Sequence, residues 1–180
     1  GTNRLGNLFN KDELFRKLLC EENILKIAYT ILGDDIKIGA LDMREPKKGT
    51  GSQELHIDWI PKKTENEKTQ NIVAFIFLDE ANENNGPMRV VPKTHKITGW
   101  IDENLKDKSS HPDEIFLNLG ESSIVIMDAN LWHSGTVNVT GNRRRVLFLD
   151  IRRRKIPQLL NQKIYLDEIT QEKLTDIEKY

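Results

Sequence analysis

Cysteine is almost absent: Cys20 is the only one in 180 residues. A single thiol cannot close an internal disulfide, so a disulfide-stapled secreted scaffold is excluded and a reducing cytoplasm is the expected compartment. Long apolar runs are missing as well. No stretch approaches the roughly 20 residues of a membrane span and no secretion signal is visible, so no membrane partner is expected. Charge of one sign is not in excess either: 27 Lys and Arg face 28 Asp and Glu, for a net charge of -1. That balance gives no global pull toward nucleic acid or anionic lipid. Aromatic residues make up only 7%, and none is interleaved with the basic clusters Arg143 to Arg145 and Arg152 to Lys155 in the way that stacking on single-stranded nucleic acid requires. Internal repeats and low-complexity tracts are absent. What is present is a chain of one-domain length, 37% hydrophobic, long enough to bury a full core.

The patterning predicts a single domain over 1–180, with a helical flank at 1–35, a β-rich core at 36–154 and a C-terminal tail at 155–180. Asn10 with Glu13 reads as a capping box before Leu14, Phe15, Leu18 and Leu19 at helical spacing. A second amphipathic helix runs from Ile24 to Leu32 and stops at Gly33. Strands are expected at Ile36 to Arg44, Asn71 to Leu78, Ser122 to Met127, Trp132 to Val139 and Arg145 to Ile151, separated by Gly, Pro, Asn and Asp. The charged connections Lys62 to Gln70 and Ile101 to Asp113 read as solvated loops. The tail, Pro157 to Tyr180, is expected to end in a helix capped by Thr170, with Leu174 and Ile177 on its apolar side.

Chemistry enters at His56-Ile57-Asp58. Residues two apart on an extended segment share a face, so the imidazole and the carboxylate converge. A third ligand must come from elsewhere. His111, before Pro112 in a charged loop, reads as surface, and His95 sits in a bend beside Pro92. His133 opens a strand after the Asp128-Ala129-Asn130 turn and has the more rigid frame. Two His and one carboxylate on one face is the arrangement of non-haem Fe(II) oxygenases. Beyond His133, a Thr140-Gly141-Asn142 hairpin is expected to lay Arg143, Arg144 and Arg145 beside the His133 strand. An inward arginine there needs a partner, which an anionic co-substrate would provide through a bidentate pair. A solvated hairpin end explains the cluster equally well on physical grounds alone.

These residues resemble the phytanoyl-CoA dioxygenase family of Fe(II)/2-oxoglutarate oxygenases. The resemblance runs through Met43-Arg44-Glu45-Pro46 to His56-x-Asp58, Asn85-Gly86-Pro87-Met88-Arg89-Val90-Val91-Pro92 to His95, and Trp132-His133-Ser134-Gly135 to Arg144. It implies a double-stranded β-helix, the jelly roll, with flanking N-terminal helices and a C-terminal helix. It further implies Fe(II) on His56, Asp58 and His133, and 2-oxoglutarate on Arg144, eleven residues after the distal histidine, with Ser134 and Thr94 as hydroxyl contacts. The family's Pro-Gly-Ser-His turn is Pro92-Lys93-Thr94-His95 here, and its Gly-Ser order is Ser134-Gly135. The implied reaction consumes O2 and 2-oxoglutarate, releases succinate and CO2, and hydroxylates a small molecule; related halogenases lack the carboxylate that Asp58 supplies. Arg44, Trp59, Arg89 and Trp100 are expected around the barrel mouth, where they would suit an anionic or zwitterionic substrate. The competing readings are a zinc-dependent hydrolase and a non-catalytic jelly-roll ligand-binding protein.

Overall fold

Alternate residues of one strand, Val146–Arg153, belong to two different cores, and that split explains the layering. Leu147, Leu149 and Ile151 pack outward against Leu8, Phe9, Leu19, Ile24, Ala28 and Leu32 of the N-terminal segment. Val146 and Phe148 point inward against Val73, Phe75, Phe77, Met88, Val90 and Met127. Because both faces are covered, Asn71–Phe77 and all but the last residue of Val146–Arg153 are buried. Each fully buried Leu, Ile or Phe contributes about 1.5–3 kcal/mol.

The computed structural model describes residues 1–179. Among them are the strands β1 (Thr2–Leu5), β2 (Ile36–Pro46), β3 (Asn71–Phe77), β4 (Met88–Val90), β5 (Ile115–Leu117), β6 (Ile124–Asp128), β7 (His133–Gly135) and β8 (Val146–Arg153). They form a five-stranded sheet in the order β1-β2-β8-β3-β6 and a three-stranded sheet in the order β5-β4-β7. All paired strands are antiparallel. The core is thus mostly β-sheet, with short helices toward both ends of the chain. Among the described residues no helix is long and apolar enough to cross a membrane.

Several expected boundaries move. Helix α1 covers only Glu13–Lys17, and its cap is Asp12, whose carboxylate accepts the Leu14 amide, rather than Asn10. Asn10 instead bonds the Tyr165 carbonyl. Five residues cannot turn a full apolar stripe inward, and Leu14 is left exposed. Helix α2 (Glu22–Leu32) ends at Gly33 as expected, with φ 84°. The connection after Trp100 contains a short helix, α3 (Ile101–Asn104). In the tail, α4 (Gln162–Tyr165), α5 (Glu168–Lys173) and α6 (Asp176–Lys179) follow one another. Asp167 caps α5, and Thr170 lies inside it with its amide bonded to that carboxylate. Tyr180, the last residue of the expected tail, lies outside the described residues.

The largest difference concerns the expected hairpin. Strand β7 is three residues long, and β8 belongs to the other sheet. Between them Thr136 donates to the Pro87 carbonyl, while Asn138 accepts the Gly141 amide and donates to the carbonyls of Pro46 and Asn142. Side-chain bonds of this kind offer the backbone an alternative to the ladder. The chain therefore crosses from one sheet to the other where a hairpin is expected.

Candidate metal centre

His56 lies outside the named strands, yet it forms an antiparallel bridge with His133. Each residue donates its amide to the other's carbonyl, at 3.0 and 3.1 Å. Directly opposed residues of an antiparallel pair put their side chains on the same face. The ring centroids accordingly stand 4.4 Å apart. Gln53 and Asp58 extend the attachment, donating their amides to the carbonyls of Gly135 and Ala129. The segment carrying the His-x-Asp triplet is fastened along the whole approach to β7.

Both imidazoles are oriented by the same local device. Nδ1 of His56 lies 2.9 Å from the Glu54 carbonyl, and Nδ1 of His133 lies 2.9 Å from the Leu131 carbonyl. A carbonyl only accepts, so each Nδ1 carries the proton and each Nε2 keeps a free lone pair. Those Nε2 atoms converge on one carboxylate: His133 Nε2 is 3.3 Å from Asp58 Oδ2, and His56 Nε2 is 3.7 Å from Asp58 Oδ1. Ligands at right angles on a metal with bonds near 2.1 Å stand about 3 Å apart. Asp58 Oδ2 is buried without a hydrogen-bond partner, as expected of an oxygen whose natural partner is a cation. Burial and the neighbouring His133 push the His56 imidazole below its ordinary value, so it is neutral at pH 7. Burial pushes the Asp58 carboxyl up, but the adjoining His133 and His56 imidazoles and the Arg44 guanidinium more than reverse this, and the group stays ionised. A divalent metal takes imidazole in its neutral form and carboxylate in its ionised form, the states of His56 and Asp58.

The cluster opens into a cavity of about 440 Å³ lined by Phe75, Phe77, Met88, Ser134, Arg44 and Arg144, among others. Of the three consecutive arginines, only the middle one turns inward. Arg143 pairs with Glu45 and Arg145 grips Asp79. Arg144 is 6% exposed, donates Nε to the Asn85 carbonyl, and has no carboxylate within ion-pair distance among the described residues. Burial alone pulls its guanidinium down to about 10.

Other expected site residues have different tasks. The Thr94 hydroxyl donates to the Val91 carbonyl and accepts the Trp132 amide, so it fastens backbone instead of facing the cavity. Arg89 is not free for a substrate: it donates to Ser134 Oγ, to Glu114 and to the carbonyls of Ser109 and Gln53. Trp59 lies beneath the Arg152 guanidinium, 4.6 Å away, and Trp100 is exposed at the start of α3. His95 stands outside the cluster. His111, expected on the surface, is half-buried edge-on to Trp132.

Lys62 was expected in a solvated loop and is buried. It pairs with Asp128 at 2.9 Å, and Thr69 donates to the same carboxylate oxygen. The other Asp128 oxygen accepts the Asn130 amide. That turn precedes His133 and supplies the Ala129 carbonyl to Asp58, so Asp128 braces two of the three cluster residues through their backbone. No local signal marks Lys62, whose partner is 66 residues away.

A model of the phytanoyl-CoA dioxygenase (PhyH) family matches residues 2–146. The protein "Dioxygenase af480" of Aspergillus fumigatus is 26% identical over 140 residues, covering 76% of this chain and 43% of that protein. The chain thus spans less than half the length of this curated relative. Among solved structures, HygX from Streptomyces hygroscopicus with nickel and 2-oxoglutarate bound superposes with a TM-score of 0.75 at 12% identity, covering 87% of this chain and 72% of that one. AviO1 from Streptomyces viridochromogenes gives 0.69 at 21% identity, with 86% and 68% covered. At such identities the structural matches speak for the fold.

Proposed function

This chain belongs to the phytanoyl-CoA dioxygenase family, and from that premise we propose that it is an Fe(II)- and 2-oxoglutarate-dependent dioxygenase that hydroxylates a small molecule. The observation that carries this reading is a single cavity lined by His56 and His133 of the His56-Asp58-His133 cluster and by the carboxylate-free Arg144. HygX, whose structures include iron-bound and 2-oxoglutarate-bound forms, supports it as a neighbour in fold. In this reading the two sheets are the halves of a double-stranded β-helix, a jelly roll over 36–154, within one domain.

When bound, iron and 2-oxoglutarate supply an oxygen-activating centre that couples decarboxylation to succinate and CO2 with oxidation of a substrate C–H bond. The protein's part is to hold and shield. His56 and His133 offer Nε2 lone pairs, and Asp58 offers the anionic ligand that reduces the metal's charge. Arg144 pairs with the far carboxylate of 2-oxoglutarate. Ser134 accepts a hydrogen bond from Arg89 on its oxygen, which leaves its own O–H to donate into the cavity. Phe75 stands edge-on to His133 at 5.9 Å and, with Phe77 and Met88, keeps water from the reacting side. A zinc hydrolase would have no use for Arg144, and a metal-free binding protein none for two imidazoles aimed at an orphaned carboxylate oxygen.

The test is calorimetric titration of 2-oxoglutarate into anaerobic Fe(II)-loaded protein, followed by succinate release across a substrate library in air. Binding that needs the metal is expected, and its absence refutes the reading. Arg144→Leu should weaken 2-oxoglutarate binding at least about tenfold, since losing one partner of a buried charge pair costs about 2–5 kcal/mol. Arg143→Leu and Arg145→Leu remove partners of Glu45 and Asp79 at the surface and should change the affinity little. Equal losses in all three variants would contradict the inward role of Arg144.

A further inference from the structure

Arg44 opens into the same cavity and has no task in the reading above. It leaves β2 opposite Val146 of β8, so its side chain shares the inward face with Val146 and Phe148. Its guanidinium carbon stands 4.8 Å above the centroid of the Phe148 ring. Its charge is felt at the histidine cluster by His56 and Asp58. Among the described residues no carboxylate lies within ion-pair distance of Arg44. Asp42, two residues earlier on the strand, has an oxygen bonded to the Asn7 amide at 3.0 Å. Burial and the nearby Arg4 pull the Arg44 guanidinium below its ordinary value. Arg89, by contrast, is locked by four hydrogen bonds.

Charge counting then decides what Arg44 is for. Arg4, opposite Arg44 on β1, also reaches the cavity but is exposed, so solvent screens its charge. The two shielded guanidinium groups, Arg44 and Arg144, and a divalent metal against the single Asp58 carboxylate leave three positive charges around the cavity. The two carboxylates of 2-oxoglutarate cancel two of them, one on Arg144 and one at the metal. One positive charge is left, and in a half-buried site it attracts a monoanion strongly. A planar guanidinium fork matches a carboxylate.

We propose that Arg44 binds the carboxylate of the primary substrate, so that this protein acts on small carboxylic acids whose apolar body lies against Phe75, Phe77 and Met88. The proposal rests on the dioxygenase reading and names the substrate class of that same site. It also makes Arg44, rather than Arg89, the residue that selects the substrate.

Benzoate and its neutral isostere benzamide are the probes, titrated calorimetrically into protein loaded with Ni(II) and 2-oxoglutarate. Benzoate is expected to bind and benzamide to bind at least about tenfold more weakly. Arg44→Leu should abolish that preference while the affinity for 2-oxoglutarate stays within about twofold of wild type; Arg44→Lys, which keeps the charge, should retain part of it and covers the case in which the leucine variant does not fold. If Arg44→Leu and Arg44→Lys instead weaken 2-oxoglutarate binding and leave benzoate unaffected, Arg44 serves the co-substrate and the proposal is overturned. Equal binding of benzoate and benzamide, or no binding of benzoate, overturns it too. Should wild-type protein not bind 2-oxoglutarate with metal, the dioxygenase reading fails on its own. Arg44 is then judged in the metal-free protein, where benzoate binding that depends on residue 44 upholds anion selection and binding indifferent to it does not.

Discussion

Alanine at position 56 should give a folded protein that no longer takes up one Fe(II) per chain. The backbone of His56 makes the bridge to His133, and alanine keeps both of those hydrogen bonds, so the approach to β7 survives. What is lost is one of three protein ligands. Outer partners of metal ligands are alone worth about 10–100-fold in affinity, so removing a ligand should cost more than about 100-fold. His133→Ala should behave alike in metal binding. His95→Ala and His111→Ala should bind as wild type, because neither imidazole belongs to the cluster. Equilibrium dialysis with Fe(II) under nitrogen, with circular dichroism to verify the fold, measures this. Retained affinity in the His56 variant, or a loss in the His95 variant, would refute the assignment.

The gathering of His56, Asp58 and His133 was legible because its logic is local. Period-two geometry puts His56 and Asp58 on one face, and a histidine at the start of a short strand needs only one bridge to join them. The inward turn of Arg144 was legible through its offset from His133, although the expected hairpin is absent. Its side chain reaches the cavity because residues 136–145 cross between sheets, not because they fold back beside β7. Strands of three residues such as β4, β5 and β7 are too short to carry a hydrophobic period, so sheet membership could not be read from them. The uses of polar side chains were the least legible part. Whether Arg89 meets a substrate or Glu114, and whether Thr94 meets 2-oxoglutarate or the Trp132 amide, depends on partners 25 and 38 residues away. Lys62 and β1 are lost to sequence reading for the same reason: each is defined by a distant partner, Asp128 for the one and β2 for the other.

Arg152→Leu should be the most destabilising single change in the core, and its cost should shrink in acid. Arg152 and Asp150 are 2% and 1% exposed and are joined by two hydrogen bonds on the inward face of β8. Asn71 donates to the same carboxylate at 2.8 Å, and the guanidinium covers Trp59, the residue after Asp58. Gly39, at the irregularity between Ile38 and Ala40 of β2, leaves the space that this pair fills; a Cβ there would collide with the Asp150 carboxylate. Removing one partner of a buried ion pair typically costs about 3–5 kcal/mol because the other charge is stranded, whereas removing both together can be close to neutral. Asp150→Asn combined with Arg152→Leu should therefore cost less than the single Arg152 change. The sign with pH follows from Asp150, whose carboxyl burial already pushes up against the opposing influence of Arg152. Without Arg152 it rises further, the folded state holds a proton that the unfolded state has lost, and stability falls as pH climbs from the unfolded value toward the raised folded one. Below that window the stranded carboxyl is neutral and the penalty is smaller. Urea unfolding of wild type, Arg152→Leu and the double variant, at neutral and acidic pH, measures each part. A penalty for Arg152→Leu that is absent, or that does not decrease in acid, would mean that Asp150 is not held as an ion by Arg152.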